Sequence, residues 1–187
     1  MSLEYSEAEI IAGCQKGDRT MQEVLYRRHY SEYLKLCLRY ASCEPDAKQI
    51  MNDAFFKIFS RIDQYNFDGP LGAWIRRIVV NTCLDHVKQK MRRERKERAM
   101  DNDQLHLATS DRGSFIIDNL SFNEIIKHIQ ELPEKHRAVF NMSVFEGMSH
   151  KEIADELEMS HGTSQWYLSK AKEMLRMKLS PVKLKTL

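Results

Sequence analysis

Residues 149–176 read SHKEIADELEMSHGTSQWYLSKAKEMLR, two helical periods broken by a short polar step. Ser149 followed by Glu152 is the Ser/Thr-x-x-Glu pattern that satisfies the first free amides of a helix. Ile153, Ala154 and Leu157 then recur at helical spacing. Glu158 and Met159 fill the break, and Ser160 is positioned to cap a second helix with Thr163 in its first turn. Along that second helix Ser164, Leu168, Ala171 and Leu175 fall on one side, which predicts an inward face. Gln165, Trp166, Ser169 and Lys170 fall on the other, flanked by Lys172. Two helices joined by a tight turn, the second carrying donors, acceptors and positive charge outward, form the shape that enters a DNA major groove. An ordinary amphipathic bundle shares the apolar spacing, so the rest of the chain has to decide.

The composition is that of a folded helical protein. The chain has 187 residues, 42% hydrophobic and 30% charged, with only 7 Gly and 4 Pro. The formal net charge of +2 says little about partners. Its distribution says more: His86 to Arg98 holds seven Lys/Arg against two Glu, and Lys170 to Lys185 holds six against one. Two separate basic stretches suit contact with a nucleic-acid backbone in two places, although solvated helix ends collect the same residues. Cys14, Cys37, Cys43 and Cys83 have no paired spacing and read as small buried hydrophobes. The seven His share no metal-ligand spacing, with His150 and His161 expected as exposed helix-start residues, and no cofactor motif is present. The polar N-terminus resembles no secretory signal, and no apolar run is long enough for a bilayer. The expected location is the cytoplasm, without membrane insertion.

Outward from the helix-turn-helix, the pattern stays helical. Ser6 and Glu9 predict another capping box opening a helix through Cys14, which Gly17 and Asp18 break. A long helix is expected from Thr20 to Tyr40, then a break at Cys43–Asp46. Ala47, Ile50, Met51, Ala54, Phe55, Ile58 and Phe59 form the clearest apolar stripe in the chain. Residues 63–70, DQYNFDGP, predict a loop exposing Tyr65 and Phe67. A fourth helix begins near Leu71, buries Trp74, Ile75, Ile78 and Val79, and runs into the basic stretch. Residues 99–120 lack a sustained period and read as a flexible linker. Ser121 and Glu124 suggest a third capping box, and Pro133 suits the first turn of a helix ending at Gly147. The fold class is therefore all-α: two small helical domains, 1–98 and 121–187, joined by 99–120.

At this point the chain resembles a known family, the extracytoplasmic-function sigma factors of bacterial RNA polymerase, within the sigma-70 family. The motifs GDRTMQEVLYRRHY, DAKQIMNDAFFKIF and GAWIRRIVVNTCLDHVKQ look like sigma region 2. LPEKHRAVF and EGMSHKEIADELEMSHGTSQWYLSKAKEMLR look like region 4. The resemblance implies core RNA polymerase and promoter DNA as partners, and an anti-sigma factor as a common inhibitor. It implies that region 2 recognises the −10 element as an opened strand and region 4 the −35 element as duplex. On these positions it assigns Tyr65, Asn66, Phe67, Arg76, Arg77, Asn81 and Lys88 to the −10 DNA. Thr163, Gln165, Trp166, Ser169, Lys170 and Lys172 go to the −35 DNA, with Thr163 and Lys172 on phosphates. Two alternatives stay open: Phe67 either offers a face to a base or folds back on the core, and Trp166 either reads a base, lies against sugar or packs on another domain.

One departure stands out. Family members usually carry an acidic pair after the region 2 Ala, facing the clamp of the polymerase, and a Gln three residues beyond that Ala–acid–acid run. Lys48, Gln49 and Asn52 stand at those positions, leaving Asp53 as the negative charge on that polymerase-binding face. A helix-turn-helix regulator of the same fold that docks polymerase poorly is the second reading. An enzyme is disfavoured, because the chain has no glycine-rich phosphate loop, no paired Cys/His ligands and no nucleophile grouped with a base.

Overall fold

A computed structural model describes residues 5–100 and 120–179. Eight α-helices lie within them: α1 (Glu7–Gln15), α2 (Arg19–Tyr40), α3 (Glu44–Arg61), α4 (Leu71–Met100), α5 (Leu120–Gln130), α6 (Glu134–Val144), α7 (His150–Glu156) and α8 (His161–Leu179). A single 3-10 turn, Ile62–Gln64, follows α3. No strand occurs among the described residues. The residues expected to form the linker fall largely outside that set. The expected capping box at Ser121 does not start α5, which already begins at Leu120.

Local chemistry sets the ends of these helices. Ser6 and Glu9 form the capping box of α1 in both directions. Gly17 takes a left-handed φ of 74° between α1 and α2, a conformation that costs Gly nothing. Asp18 then caps α2 by accepting from the amides of Thr20 and Met21. The expected break at Cys43–Asp46 is shorter than the composition suggests, for α3 starts at Glu44. Pro45 fits its first turn because the amide it lacks would have no intrahelical partner there. Pro133 is the N-cap of α6 rather than its first turn.

Helices α1–α4 enclose the larger core, built on Ile10, Leu25, Leu38, Met51, Ile58, Leu71 and Ile75. The buried Tyr33 hydroxyl donates to the Gly72 carbonyl at 2.8 Å and ties α2 to the start of α4. Burial pushes that phenol up to about 12. Cys14, Cys37 and Cys83 are buried as small hydrophobes, whereas Cys43 is only half-buried at the N-cap of α3.

The second group, α5–α8, packs against the first. Ile126, Val139, Met142, Ile153 and Leu168 join the same apolar cluster as the α1–α4 core, while Ile129, Leu132, Ala171 and Leu175 form a small one of their own. Polar bonds fix this junction. Asn141 donates to the Arg39 carbonyl at 2.7 Å and Gln130 to the Leu38 carbonyl at 3.0 Å. The buried Arg137 donates to Ser42 Oγ at 3.0 Å and to the Gln130 carbonyl at 2.8 Å. The carbonyls of Leu38 and Arg39 lie in the last turn of α2, where no intrahelical amide remains for them.

Candidate nucleic-acid interface

The helix-turn-helix is built as its sequence implies. Ser149 and Glu152 form a reciprocal capping box on α7. The Ser149 hydroxyl and amide beside Glu152 hold its carboxyl below the usual range. Glu158 takes φ 53° in the turn. The Ser160 hydroxyl accepts from the Thr163 amide at 3.1 Å and caps α8. Ser164, Leu168, Ala171 and Leu175 are buried and seat α8 on α6 and α7. His150 is half-buried rather than exposed, because its Nδ1 lies 2.9 Å from Ser164 Oγ.

With that face inward, Gln165, Trp166, Ser169 and Lys172 are exposed, and Thr163 and Lys170 are partly so. Lys170 pairs with Glu173 at 2.7 Å. Trp166 stays 52% exposed while its ring stands 5.6 Å from His136 of α6 and 5.1 Å from Tyr167. It therefore has one side against its own domain and one side open. Burial lowers the His136 pKa, which favours the neutral ring under Trp166.

The loop before α4 separates two aromatics that the sequence had grouped. Tyr65 is buried at 5% exposure, against expectation. Its hydroxyl donates to the Gly69 carbonyl at 2.6 Å, and its ring lies 5.6 Å from the half-buried Trp74. A large ring next to an apolar helix start buries more favourably than it solvates, and the loop carbonyl satisfies its hydroxyl. Phe67 remains 59% exposed, held by a left-handed φ of 64°. Such a φ is an outlier for a bulky side chain and stores strain. Asn66 and Asp68 bond one another on either side of it.

Along α4, Arg77 and Asn81 are exposed, and Asn81 lines a cleft with Lys57, Arg61, Asp85 and Glu156. Arg76 and Lys88 are engaged across the junction. Arg76 Nη2 donates to Glu146 Oε2 at 2.5 Å, and Lys88 Nζ to Glu156 Oε1 at 2.5 Å. Glu146 also accepts from Arg39 at 3.2 Å. Burial lowers the Arg39 pKa, and the Glu146 charge works against that shift. Glu146, Arg39 and Asn141 were not singled out from the sequence. The available signal was charge complementarity: a basic α4 with Glu134, Glu146, Glu156 and Glu158 in the C-terminal half.

The polar face of α3 carries Lys48, Gln49, Asn52 and Asp53, all at least partly exposed. Lys48 pairs with Glu44 at 2.8 Å. Asp53 accepts from Gln49 at 2.9 Å and sits 2.8 Å from His86 of α4. Phe56 follows on the same helix at 74% exposure. The face thus offers amides, one engaged carboxylate and an open aromatic. No cluster of three metal-ligating side chains occurs among the described residues, and no helix there is long and apolar enough to cross a membrane.

Two family profiles match the chain: Sigma-70 region 2 over residues 25–93 and Sigma-70 region 4 over residues 122–175. The RNA polymerase sigma-H factor of Pseudomonas aeruginosa is 23% identical over 97% of this chain and 98% of its own length. The ECF RNA polymerase sigma-E factor of Escherichia coli K12 is 24% identical, with the same shares covered. Among solved structures, the sigma factor RpoE of Bartonella quintana, in complex with the anti-sigma factor NepR, aligns over 84% of this chain and 96% of its own at 16% identity and a TM-score of 0.47.

Proposed function

Because this chain belongs to the sigma-70 family, in its extracytoplasmic-function branch, a family of non-enzymatic transcription initiation factors, we propose that it binds core RNA polymerase and directs it to particular promoters. In this reading α8 enters the major groove of the −35 element. Gln165, Trp166, Ser169 and Lys170 meet base edges or sugars there, and Thr163 and Lys172 meet phosphates. The observation that carries the reading is the division of α8. Its apolar side is consumed by α6 and α7, and its opposite side is polar, basic and open. The Gln amide can donate to adenine N7 and accept from the adenine N6 amino group, and Lys can reach guanine.

Region 2 acts on the opened strand. Phe67 presents a ring on which one unstacked base lies, and Asn66 and Asn81 offer amides to its edges. Arg76, Arg77 and Lys88 follow the phosphates. Tyr65 serves beneath Phe67 rather than as a second platform. The polar face of α3, from Lys48 through Asp53, docks the polymerase. The chain works in the cytoplasm, and an anti-sigma protein is the inhibitor this role implies.

Transcription in vitro with purified core polymerase and a library of genomic fragments tests the proposal. Transcript starts should cluster downstream of one shared two-part sequence only when the chain is added. A second reading, a DNA-binding regulator that docks polymerase poorly, draws on the Lys48–Glu44 pair that replaces free acidic charge on α3. Sequence-specific DNA binding without any polymerase-dependent start would favour that reading.

A further inference from the structure

We propose that Glu146 is an intramolecular latch: its carboxylate stands in for a DNA phosphate on Arg76 and holds the α5–α8 half shut over the basic face of α4. This rests on the assignment of Arg76 and Lys88 to promoter DNA. Glu146 lies just past the end of α6, and its side chain keeps only 7% of its exposure. One oxygen takes Arg76 and the other Arg39. Phe145 adds a ring 4.1 Å from the Arg39 guanidinium, and its carbonyl accepts from Arg76 at 3.4 Å.

The pattern repeats along α4. Lys88 pairs with Glu156 and Arg92 with Glu158. Carboxylates of the C-terminal half thus occupy cations of the N-terminal half at hydrogen-bond distance. A phosphate oxygen needs the same donors in the same positions, so DNA and the C-terminal half compete for one surface.

Size leads to the same conclusion. Two promoter elements named for positions about 25 base pairs apart lie about 85 Å apart at about 3.4 Å per pair. A compact chain of 187 residues has a radius of gyration of about 16 Å and cannot reach both. The closed form must open to do its work. Beside the shared apolar cluster, Glu146 is the ionic contact most suited to hold it, because its carboxylate is both shielded from water and shared by two guanidinium groups.

The test uses the full chain with three variants, Glu146→Arg, Glu146→Arg/Arg76→Glu and Glu146→Gln, and Glu23→Arg as a control that adds the same positive charge on an exposed site. Small-angle scattering reads compactness. Fluorescence anisotropy reads binding to a mixed-sequence 30-base-pair duplex with a central single-stranded bubble. Circular dichroism verifies that helix content is unchanged. Glu146→Arg should enlarge the radius of gyration by about a quarter or more. It should tighten bubble binding about tenfold beyond the control, since non-specific affinity follows the number of phosphate contacts made available. Glu146→Gln, which keeps the shape and loses the charge, should move both readouts the same way by less. The charge-swapped double variant restores the pair at position 76 but leaves a cation beside Arg39, so it should recover part of the lost compactness. Wild-type compactness in both single variants would overturn the latch. So would an enlarged radius with bubble binding no tighter than in Glu23→Arg. Failure of the sigma-factor reading has its own signature: wild-type chain that starts no transcripts with core polymerase, whatever the scattering shows.

Discussion

Phe67 can be tested with a pair of substitutions whose effects on stability and function diverge. Its φ of 64° lies in a region that costs an L-residue about 1–2 kcal/mol. Phe67→Ala keeps that backbone penalty and removes the ring. Phe67→Gly removes the ring and the penalty together, but Gly gives back about 0.4–1 kcal/mol through the entropy of the unfolded chain. Both lose the same contact with Tyr65, whose ring lies 5.0 Å away. The glycine variant should therefore be more stable than the alanine variant by about 0.5–1 kcal/mol, a rise of about 1–4 °C in Tm for a chain of this size. Urea unfolding and calorimetry measure the difference. Function should not follow stability. Each variant loses one base–aromatic stack, about 1–3 kcal/mol, or about 5- to 150-fold in the population of opened promoter. The fluorescence of 2-aminopurine placed in the −10 element, read with core polymerase present, reports opening. Equal stability of the two variants would refute the strain argument. Wild-type opening in either would refute Phe67 as the stacking surface.

Other consequences follow from the same geometry. Gln165→Ala should relax preference at one or two upstream bases, at about 1–3 kcal/mol each. Lys172→Ala should instead weaken all sequences alike and lower the salt dependence by about one phosphate contact; binding selections on randomised duplexes compare the two. Lys48→Glu with Gln49→Asp should strengthen association with core polymerase in a surface-binding assay, and unchanged or weaker affinity would dismiss the charge argument for α3. Ser149→Ala should destabilise the helix-turn-helix by about 1 kcal/mol in thermal unfolding. It should also flatten the acid limb of the stability profile. The Glu152 carboxyl is held low by Ser149, so its contribution is fully present above the ordinary value of 4.5 and is lost as pH falls through the lower folded value.

Helices α1, α7 and α8 were legible because each carries its own punctuation. Ser6, Ser149 and Ser160 cap them, and these signals act over three residues. The inward face of α8 was legible for a similar reason, since period fixes a face whatever lies against it. Tyr65 shows where that logic ends. Loop composition predicts exposure, but burial was decided by Trp74, nine positions along the chain, and by the Gly69 carbonyl. His150 was misread for the same kind of reason, because its partner Ser164 belongs to the next helix. The junction was the least legible part. Glu146 meets Arg39 and Arg76 across more than 60 residues of sequence, and only their opposite charges hinted at a meeting. Asn141 bonding to the end of α2 left no sequence signal, for any buried amide on α6 would read alike.

The central claim is that one chain reads paired DNA with α8 and holds opened DNA with region 2, both while bound to polymerase. Footprinting on one promoter tests it most directly, with nuclease protection and permanganate reactivity of unpaired thymines read on the same fragment. The account predicts upstream duplex protection and downstream reactive thymines that appear together, and only when this chain and core polymerase are both present. Upstream protection by the chain alone, unchanged by polymerase and with no reactive thymine, would contradict it.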